Sequence, residues 1–302
     1  MRDVHATAPP PGTLPLRSVG LSGIRKPLLV RRPDGAHPLA VTFRVGVDLP
    51  AARKGSDLSR NAEILADIVD RTAAEPAASL ETACSAIAHE LLSRHPSATE
   101  ATVSAEAEYF RRRGVSPERS SFEDYTLFAD ARARRRPDGG ISLRRGIGAE
   151  AVGMTACPCA METCRAALVA EHPELGAPAL ADLPIITHNQ RNRTRLHFEF
   201  SEEGSVEADD LIEAIEGAQS SPTYAILKRG DEGAVVLRAH RNPKFVEDVV
   251  RDLLASLPTR FPAVPGSTDV VASTVSEESI HKYDVEASHR LTFAELRRPG
   301  SV

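Results

Sequence analysis

Residues 40–49 read Ala40-Val41-Thr42-Phe43-Arg44-Val45-Gly46-Val47-Asp48-Leu49. Val41, Phe43, Val45, Val47 and Leu49 take every second position, the period at which strand side chains alternate between the two faces of a sheet. The period then changes. Leu58, Ala62, Leu65, Ile68 and Val69 within 57–71, and Leu80, Cys84, Ile87 and Leu91 within 79–93, recur at helical spacing. Cys84 stands on that stripe, where a free cysteine packs as a small hydrophobe. Alternation returns at Val103, Ala105, Ala107 and Tyr109 and again at Tyr125, Leu127, Ala129 and Ala131, and 140–154 reads as a further strand. A strand, two helices and more strands predict an α+β chain with antiparallel sheets.

The second half repeats this order loosely, without a clear sequence repeat. Residues 194–200 (TRLHFEF) alternate as a strand. Ser205 is the expected N-cap of a helix over 206–218, with Glu207, Asp209 and Asp210 at its positive end. Strands are expected at 223–229 and 234–240. Asn242-Pro243 then opens a helix whose apolar stripe is Phe245, Val246, Val249, Val250, Leu253, Leu254 and Leu257. Residues 259–296 read as strand and loop. Residues 1–35, rich in Pro, Gly and Arg and without periodicity, read as a flexible tail. The division expected is tail 1–35, first module 36–150 and second module 151–302.

The chain has 302 residues, 41% apolar and 26% charged, with no Trp and a net charge of -5. That acidic balance argues against a nucleic-acid partner. No apolar run reaches the roughly 18 residues of a membrane span, and the N-terminus lacks the apolar core of a secretory signal. The expected location is cytoplasmic. Three of the four cysteines, Cys157, Cys159 and Cys164, cluster, which in a reducing compartment points to metal binding or catalysis rather than disulfides.

Gly153-Met154-Thr155-Ala156-Cys157-Pro158-Cys159 follows a strand and precedes a short helix. A thiolate at a helix N-terminus is stabilised for metal binding or nucleophilic attack. Buried, inert cysteines are the plainer alternative, outweighed here by two cysteines flanking a proline. Thr187-His188-Asn189-Gln190-Arg191 follows a Pro- and Ala-rich loop at 171–184 and offers an imidazole, amides and a guanidinium. Lys228-Arg229-Gly230-Asp231-Glu232 is a solvated turn on composition alone. It also offers a carboxylate ligand in Glu232 and phosphate-binding cations in Lys228 and Arg229. Glu247 opens a helix, where the dipole favours an acid. Glu278 and His281 stand three apart, so in a strand they would face opposite sides, and a shared role in proton transfer needs a bend.

Taken together, GMTACPCA, ITHNQR, LKRGDE, NPKFVEDVVR and ESIH resemble the type IB GTP cyclohydrolases and their archaeal MptA relatives, from about residue 40 onward. The TACPC form and the long gap between Cys157 and His188 are closer to the MptA side. The resemblance implies tandem tunnelling-fold (T-fold) modules and a homo-oligomer, a homotetramer, with active sites at subunit interfaces. It implies a divalent metal, Fe²⁺, Zn²⁺ or Mn²⁺, held by Cys157, His188 and Glu232. Glu247 would anchor the guanine, and Glu278 and His281 would assist proton transfer beside Cys157. Lys228, Arg229 and Arg191 would serve the substrate phosphates, and Cys159 would stand close behind the metal. GTP would be the substrate. Formate and a dihydroneopterin phosphate, either the triphosphate or the 2′,3′-cyclic phosphate, would be the products, for folate or pterin biosynthesis.

The chain departs from the pattern at three places. Asp57 replaces a histidine within 54–60, Asn192 replaces a serine after HNQR, and 235–238 has lost a family motif. These leave the implied metal set intact and bear on phosphate contacts. Two rival readings follow: a T-fold enzyme acting on another purine or pterin, and a non-catalytic protein whose cysteine cluster closes a structural metal site.

Overall fold

A computed structural model of the chain describes residues 9–32, 35–116, 119–175, 180, 183–201 and 204–298. The chain divides into two compact units. The first comprises 1–109, 126–147 and 199–203, and the second 110–125, 148–198 and 204–302.

In the first unit, β1 (Leu16–Arg32) pairs antiparallel with β2 (Gly35–Leu49), and β2 pairs antiparallel with β3 (Glu100–Ser116), placing Val41 opposite Ala107. β4 (Arg119–Arg135) and β5 (Ile141–Ala156) extend the order to β1-β2-β3-β4-β5. The alternation read at 40–49 holds: Val41, Phe43, Val45, Val47 and Leu49 are buried. They pack with α1 (Leu58–Ala74) and α2 (Leu80–Arg94), whose Ile64, Leu65, Ile87, Leu91 and Leu92 are fully buried. Each such side chain taken out of water contributes roughly 1.5–3 kcal/mol. Cys84 lies in this core, and burial pushes its thiol far above the ordinary range, away from the reactive thiolate form.

The stretch expected to be a flexible tail instead supplies β1 over Leu16–Arg32; residues 1–8 lie outside the described residues. Its inner end is fixed because Leu28 and Val30 are buried and the main chain of Leu29 and Arg31 exchanges hydrogen bonds with Ala77 at 2.9 and 2.7 Å. The register of β1 on β2 shifts between Leu21 and Ile24, where Gly23 adopts φ +74°, a conformation open to glycine.

In the second unit the strand order is β5-β6-β8-β9, with β6 at Asn189–Phe200, β8 at Asp269–Glu277 and β9 at Val285–Thr292; the two-residue β7 (Ser221–Pro222) pairs with β5. The helices are α3 (Pro158–Glu171), α4 (Ala208–Ala218), α5 (Arg229–Arg241), α6 (Val246–Arg260) and the one-turn α7 (Phe293–Leu296). Leu211, Ile212 and Ile215 of α4 and Val249, Leu253 and Leu257 of α6 fill the core with Leu196, Phe198 and Val270 of the sheet. The Phe198 ring lies 5.3 Å from Phe261 and 6.0 Å from Phe293. Glu216, buried on α4, accepts from the Tyr125 hydroxyl at 2.7 Å and pairs with Arg113. Burial first, and this carboxylate next, push the Tyr125 hydroxyl well above its ordinary range.

Three local expectations are corrected. Residues 234–240 are helical, not a strand, and 223–228 carry no strand beside β7. The amide of Lys228 donates to the Asp231 carboxylate at 3.0 Å, and Asp231 is held by Arg119, which starts a helix that runs on through the apolar stretch from Ala234 to Leu237. α4 begins at Ala208 with Glu207, not Ser205, at its N-cap. Asn242 ends α5 rather than opening α6; Phe245 is the N-cap of α6, with its amide donating to Asp248 at 2.9 Å. Among the described residues no helix is long and apolar enough to cross a membrane.

Candidate active site

β5 runs to Ala156, and Cys157 both ends the strand and caps α3, with Pro158 at the first helical position. Its sulfur accepts the Ala160 amide at 3.4 Å. The main chain of this turn is held from several directions. The Cys157 amide donates to the His188 carbonyl at 3.1 Å, and the Thr187 hydroxyl donates to the Cys157 carbonyl at 2.7 Å. The Ala156 amide donates to Ser220 Oγ at 3.3 Å, and the Ala156 carbonyl accepts the Lys244 amide at 3.0 Å. Lys244 Nζ in turn donates to the Ala218 carbonyl at 2.7 Å and pairs with Asp252 at 2.6 Å. These ties bring the start of α6 against the cysteine turn. Behind the turn, Gly153 is pressed so close to Gln219 that an added Cβ would stand 1.9 Å from Gln219 Oε1.

The result is a cleft of about 220 Å³ lined by Cys157, His188, Gln190 and Ser276 on the sheet side, Lys244 to Glu247 at the helix, and Glu278, His281, Tyr283 and Val285 beyond β8. Residues 279–283 form the bend that a shared role for Glu278 and His281 requires. The His281 and Tyr283 rings stack, with centroids 5.0 Å apart and planes 9° from parallel. His188 Nδ1 lies 3.0 Å from Gln190 Oε1 and 3.7 Å from Glu278 Oε2. Gln190 Nε2 donates to Glu278 Oε1 at 3.3 Å and to Thr155 Oγ1 at 3.1 Å. Glu278 Oε2 is buried and has no hydrogen-bond partner.

Five sequence-derived candidates therefore share the cleft: Cys157, His188, Glu247, Glu278 and His281. Others do not line it. Lys228, Arg229 and Glu232 stand exposed on and before the first turn of α5. Arg191 is exposed on β6, on the strand face opposite buried Gln190 and Asn192. Cys159 is exposed on the first turn of α3. Of the 171–184 loop, only 171–175, 180 and 183–184 fall among the described residues. Sequence reasoning singled out neither Lys244 nor Tyr283. Tyr283 stands two positions after His281, a spacing that could have marked it.

The donor types suit a divalent metal: a thiol sulfur, an imidazole and a buried carboxylate oxygen without a partner. Among the described residues, however, no three His, Cys, Asp or Glu side chains converge closely enough to hold one. The donor types fit a metal, and among the described residues they do not close into a set of three.

A family model described as type I GTP cyclohydrolase folE2 matches residues 1–287. GTP cyclohydrolase MptA of Methanothermobacter thermautotrophicus is 39% identical over 290 residues, covering 93% of this chain and 91% of the relative. GTP cyclohydrolase MptA of Methanosarcina acetivorans is 38% identical over 306 residues, covering 98% of this chain and 96% of the relative. Among solved structures, the uricase from Arthrobacter globiformis matches with a TM-score of 0.51 at 8% identity, covering 94% of each chain. That likeness is one of fold, the α+β tunnelling fold. By the match of the family model across nearly its whole length and by these relatives, the chain belongs to the type I GTP cyclohydrolase folE2 family.

Proposed function

We propose that this chain is a metal-dependent GTP cyclohydrolase that opens the imidazole ring of guanine, releases formate and forms a dihydroneopterin phosphate. The observation that carries this reading is the cleft, which gathers Cys157, His188, Glu247, Glu278 and His281 in a chain of this family.

Glu247, exposed at the cleft on the first turn of α6, accepts hydrogen bonds from the guanine ring N–H and exocyclic amine. That contact turns C8 of the base inward. Water adds at C8, and the C8–N9 bond breaks to leave a formamide. A second water cleaves the remaining C8–N7 bond and releases formate. Sugar rearrangement and ring closure return one water, so the net reaction consumes one. Glu278 and His281, on the bend after β8, take the proton from the attacking water and return it to the departing nitrogen. Cys157 and His188 would hold the metal, Fe²⁺, Zn²⁺ or Mn²⁺, with Glu232 as third ligand. The bound ion would supply Lewis acidity that raises the acidity of water at neutral pH.

Glu232 is exposed and does not line the cleft, so in this reading it comes from a second copy of the chain, in a homo-oligomer with shared sites. Lys228, Arg229 and Arg191, also exposed, would meet the phosphates from such an assembly. Relatives named MptA put the chain on that side of the family; the product is either the triphosphate or, where a sugar hydroxyl attacks the α-phosphate and diphosphate leaves, the 2′,3′-cyclic phosphate.

The test is anaerobic incubation with GTP and each metal in turn, assaying formate and the fluorescence of the oxidised pterin. Formate with at least one metal is expected. No formate with any metal overturns the reading, and formate from another purine nucleotide alone moves the substrate.

A further inference from the structure

Beneath the cleft lies a continuous line of buried polar side chains on β5, β6 and β8. Thr155, Asn192 and Thr194 are fully buried, Thr274 and Ser276 are 1% exposed, and Gln190 is 9% exposed. In a dry interior every donor needs an acceptor, so the bonds along the line have a direction that can be worked out.

The Thr274 hydroxyl has the Arg193 carbonyl at 3.4 Å and Thr194 Oγ1 at 2.7 Å within reach, and with its proton given to either it accepts from Asn192. Asn192 Nδ2 therefore faces Thr274 at 2.7 Å and Thr194 at 2.9 Å. That turns Asn192 Oδ1 toward Ser276, whose hydroxyl donates to it at 2.8 Å. Having given its proton, Ser276 accepts from Thr155, at 3.1 Å, and Thr155 in turn accepts from Gln190 Nε2, also at 3.1 Å. The second Gln190 N–H goes to the Glu278 carboxylate, which when ionised can only accept. Gln190 Oε1 is left facing His188 Nδ1 at 3.0 Å, so that nitrogen carries the proton. Reversing the Asn192 amide would reverse Ser276 and leave Thr155 with two donors and no acceptor for its own proton.

We propose that Asn192 is a positioning residue of the active site: it sets the direction of this buried chain from one end, as the Glu278 carboxylate does from the other, and together they orient Gln190 and hold His188 in the Nδ1–H tautomer with its Nε2 lone pair open to the cleft. A ligating or proton-accepting imidazole works through the nitrogen its hydrogen-bonded partner leaves bare. Asn192 does not itself line the cleft; it acts through Ser276, which does, and through Thr155 and Gln190.

This role rests on the cyclohydrolase reading for its turnover arm alone. The first measurement uses metal-free protein labelled with ¹⁵N-histidine, at a pH where imidazoles are neutral. Long-range ¹H–¹⁵N spectra report the tautomer, and His188 is the signal lost in His188→Gln. The wild type is expected to show the Nδ1–H form. Asn192→Leu breaks the chain at its head. Ser276→Ala breaks it one link on with little change in packing, should the leucine variant not fold. Both are expected to give a tautomer mixture, and kcat for GTP is expected to fall about tenfold with KM unchanged, the scale of losing a group that orients a ligating histidine. Ser276→Thr, which keeps a hydroxyl, restores the single tautomer. An Nε2–H tautomer in the wild type overturns the proposal. So does a tautomer unmoved in the folded variants, whether or not kcat falls. A wild type with the expected tautomer and no turnover of GTP would sink the cyclohydrolase reading and leave the positioning role standing.

Discussion

The amide of Cys157 donates to the carbonyl of His188 at 3.1 Å, so the two residues are joined through their main chains. Their side chains are then free to face a common ligand. Cys157→Ser tests this arrangement. Serine is a good helix N-cap, and substitution of a capping group shifts stability by about 1 kcal/mol or less when the replacement also caps. The expected outcome is a thermal midpoint within a few degrees of the wild type. Turnover of GTP is expected to fall by more than the ~10–100-fold that loss of a group surrounding a metal produces. Full activity in the serine variant would refute the sulfur's role.

Glu232 stands in solvent on α5 while Cys157 and His188 line the cleft. If the third ligand comes from a second copy, Glu232→Gln and Cys157→Ser are each inactive alone and regain part of the activity when mixed and allowed to exchange subunits. Pairing of the two variants joins an intact cleft from one copy with an intact Glu232 from the other. Mixtures that stay inactive despite proven exchange place the third ligand within one copy.

His95, 4% exposed, bonds through Nε2 to Asn61 Oδ1 at 2.7 Å. Burial first, then the nearby Arg60 and Arg53 charges against that of Asp57, hold its imidazole below the ordinary range. The unfolded chain takes up a proton near pH 6.5, and the folded chain resists. Stability from this group is therefore present above that pH and declines as pH falls through it. His95→Gln keeps a donor for Asn61 and carries no charge. Urea midpoints at pH 7.5 and 5.5 are expected to drop less on acidification in the variant. An equal drop removes His95 from the account.

Tyr125→Phe deletes the 2.7 Å hydrogen bond to buried Glu216. Hydrogen bonds to charged groups contribute about 1.5–3 kcal/mol, and denaturant unfolding near neutral pH is expected to show a loss of that order. The folded state also holds the Tyr125 proton more tightly than the unfolded chain does. Its contribution is complete below about pH 10 and declines as pH rises beyond. The phenylalanine variant is expected to lose less between pH 9 and 11 than the wild type.

Gly153→Ala places a methyl 1.9 Å from Gln219 Oε1 and 2.9 Å from the Ser221 carbonyl, in the short β5–β7 pairing behind the cysteine turn. Overpacking of this kind costs about 1–3 kcal/mol. Differential scanning calorimetry should show the lowered midpoint, and a midpoint equal to the wild type would mean that Gln219 swings aside.

What the sequence made legible was what repeats along it. Val41 to Leu49 announced β2, and the Leu80–Leu91 stripe announced α2 with Cys84 inside the core. The β1 strand was missed because its outer half is exposed and only Leu28 and Val30 are buried, against a partner contact at Ala77 that no local pattern reveals. α5 was misread because Ala234 to Leu237 is a short continuous apolar run, which a buried strand also shows; the helix buries only Asp231, Ala239 and His240 and so carries no apolar stripe. In the site, Cys157, His188, Glu247, Glu278 and His281 were visible as chemistry-bearing residue types. Lys244 was not, because its part is to donate to the Ala218 carbonyl and hold the α6 start in place, a task written in main-chain geometry. Glu232 was visible as a carboxylate, but its place on an exposed helix face was not.

The polar floor formed by Thr155, Asn192, Thr194, Thr274 and Ser276 has a consequence for anyone who would make this protein hardier. Burial alone would nominate these positions for valine or isoleucine, and replacing a whole buried polar group by packed hydrocarbon is often stabilising. Here a greasier floor would release the amide that steadies the histidine above it. Selection for heat resistance and selection for turnover should therefore part company at these five positions before anywhere else in the second unit.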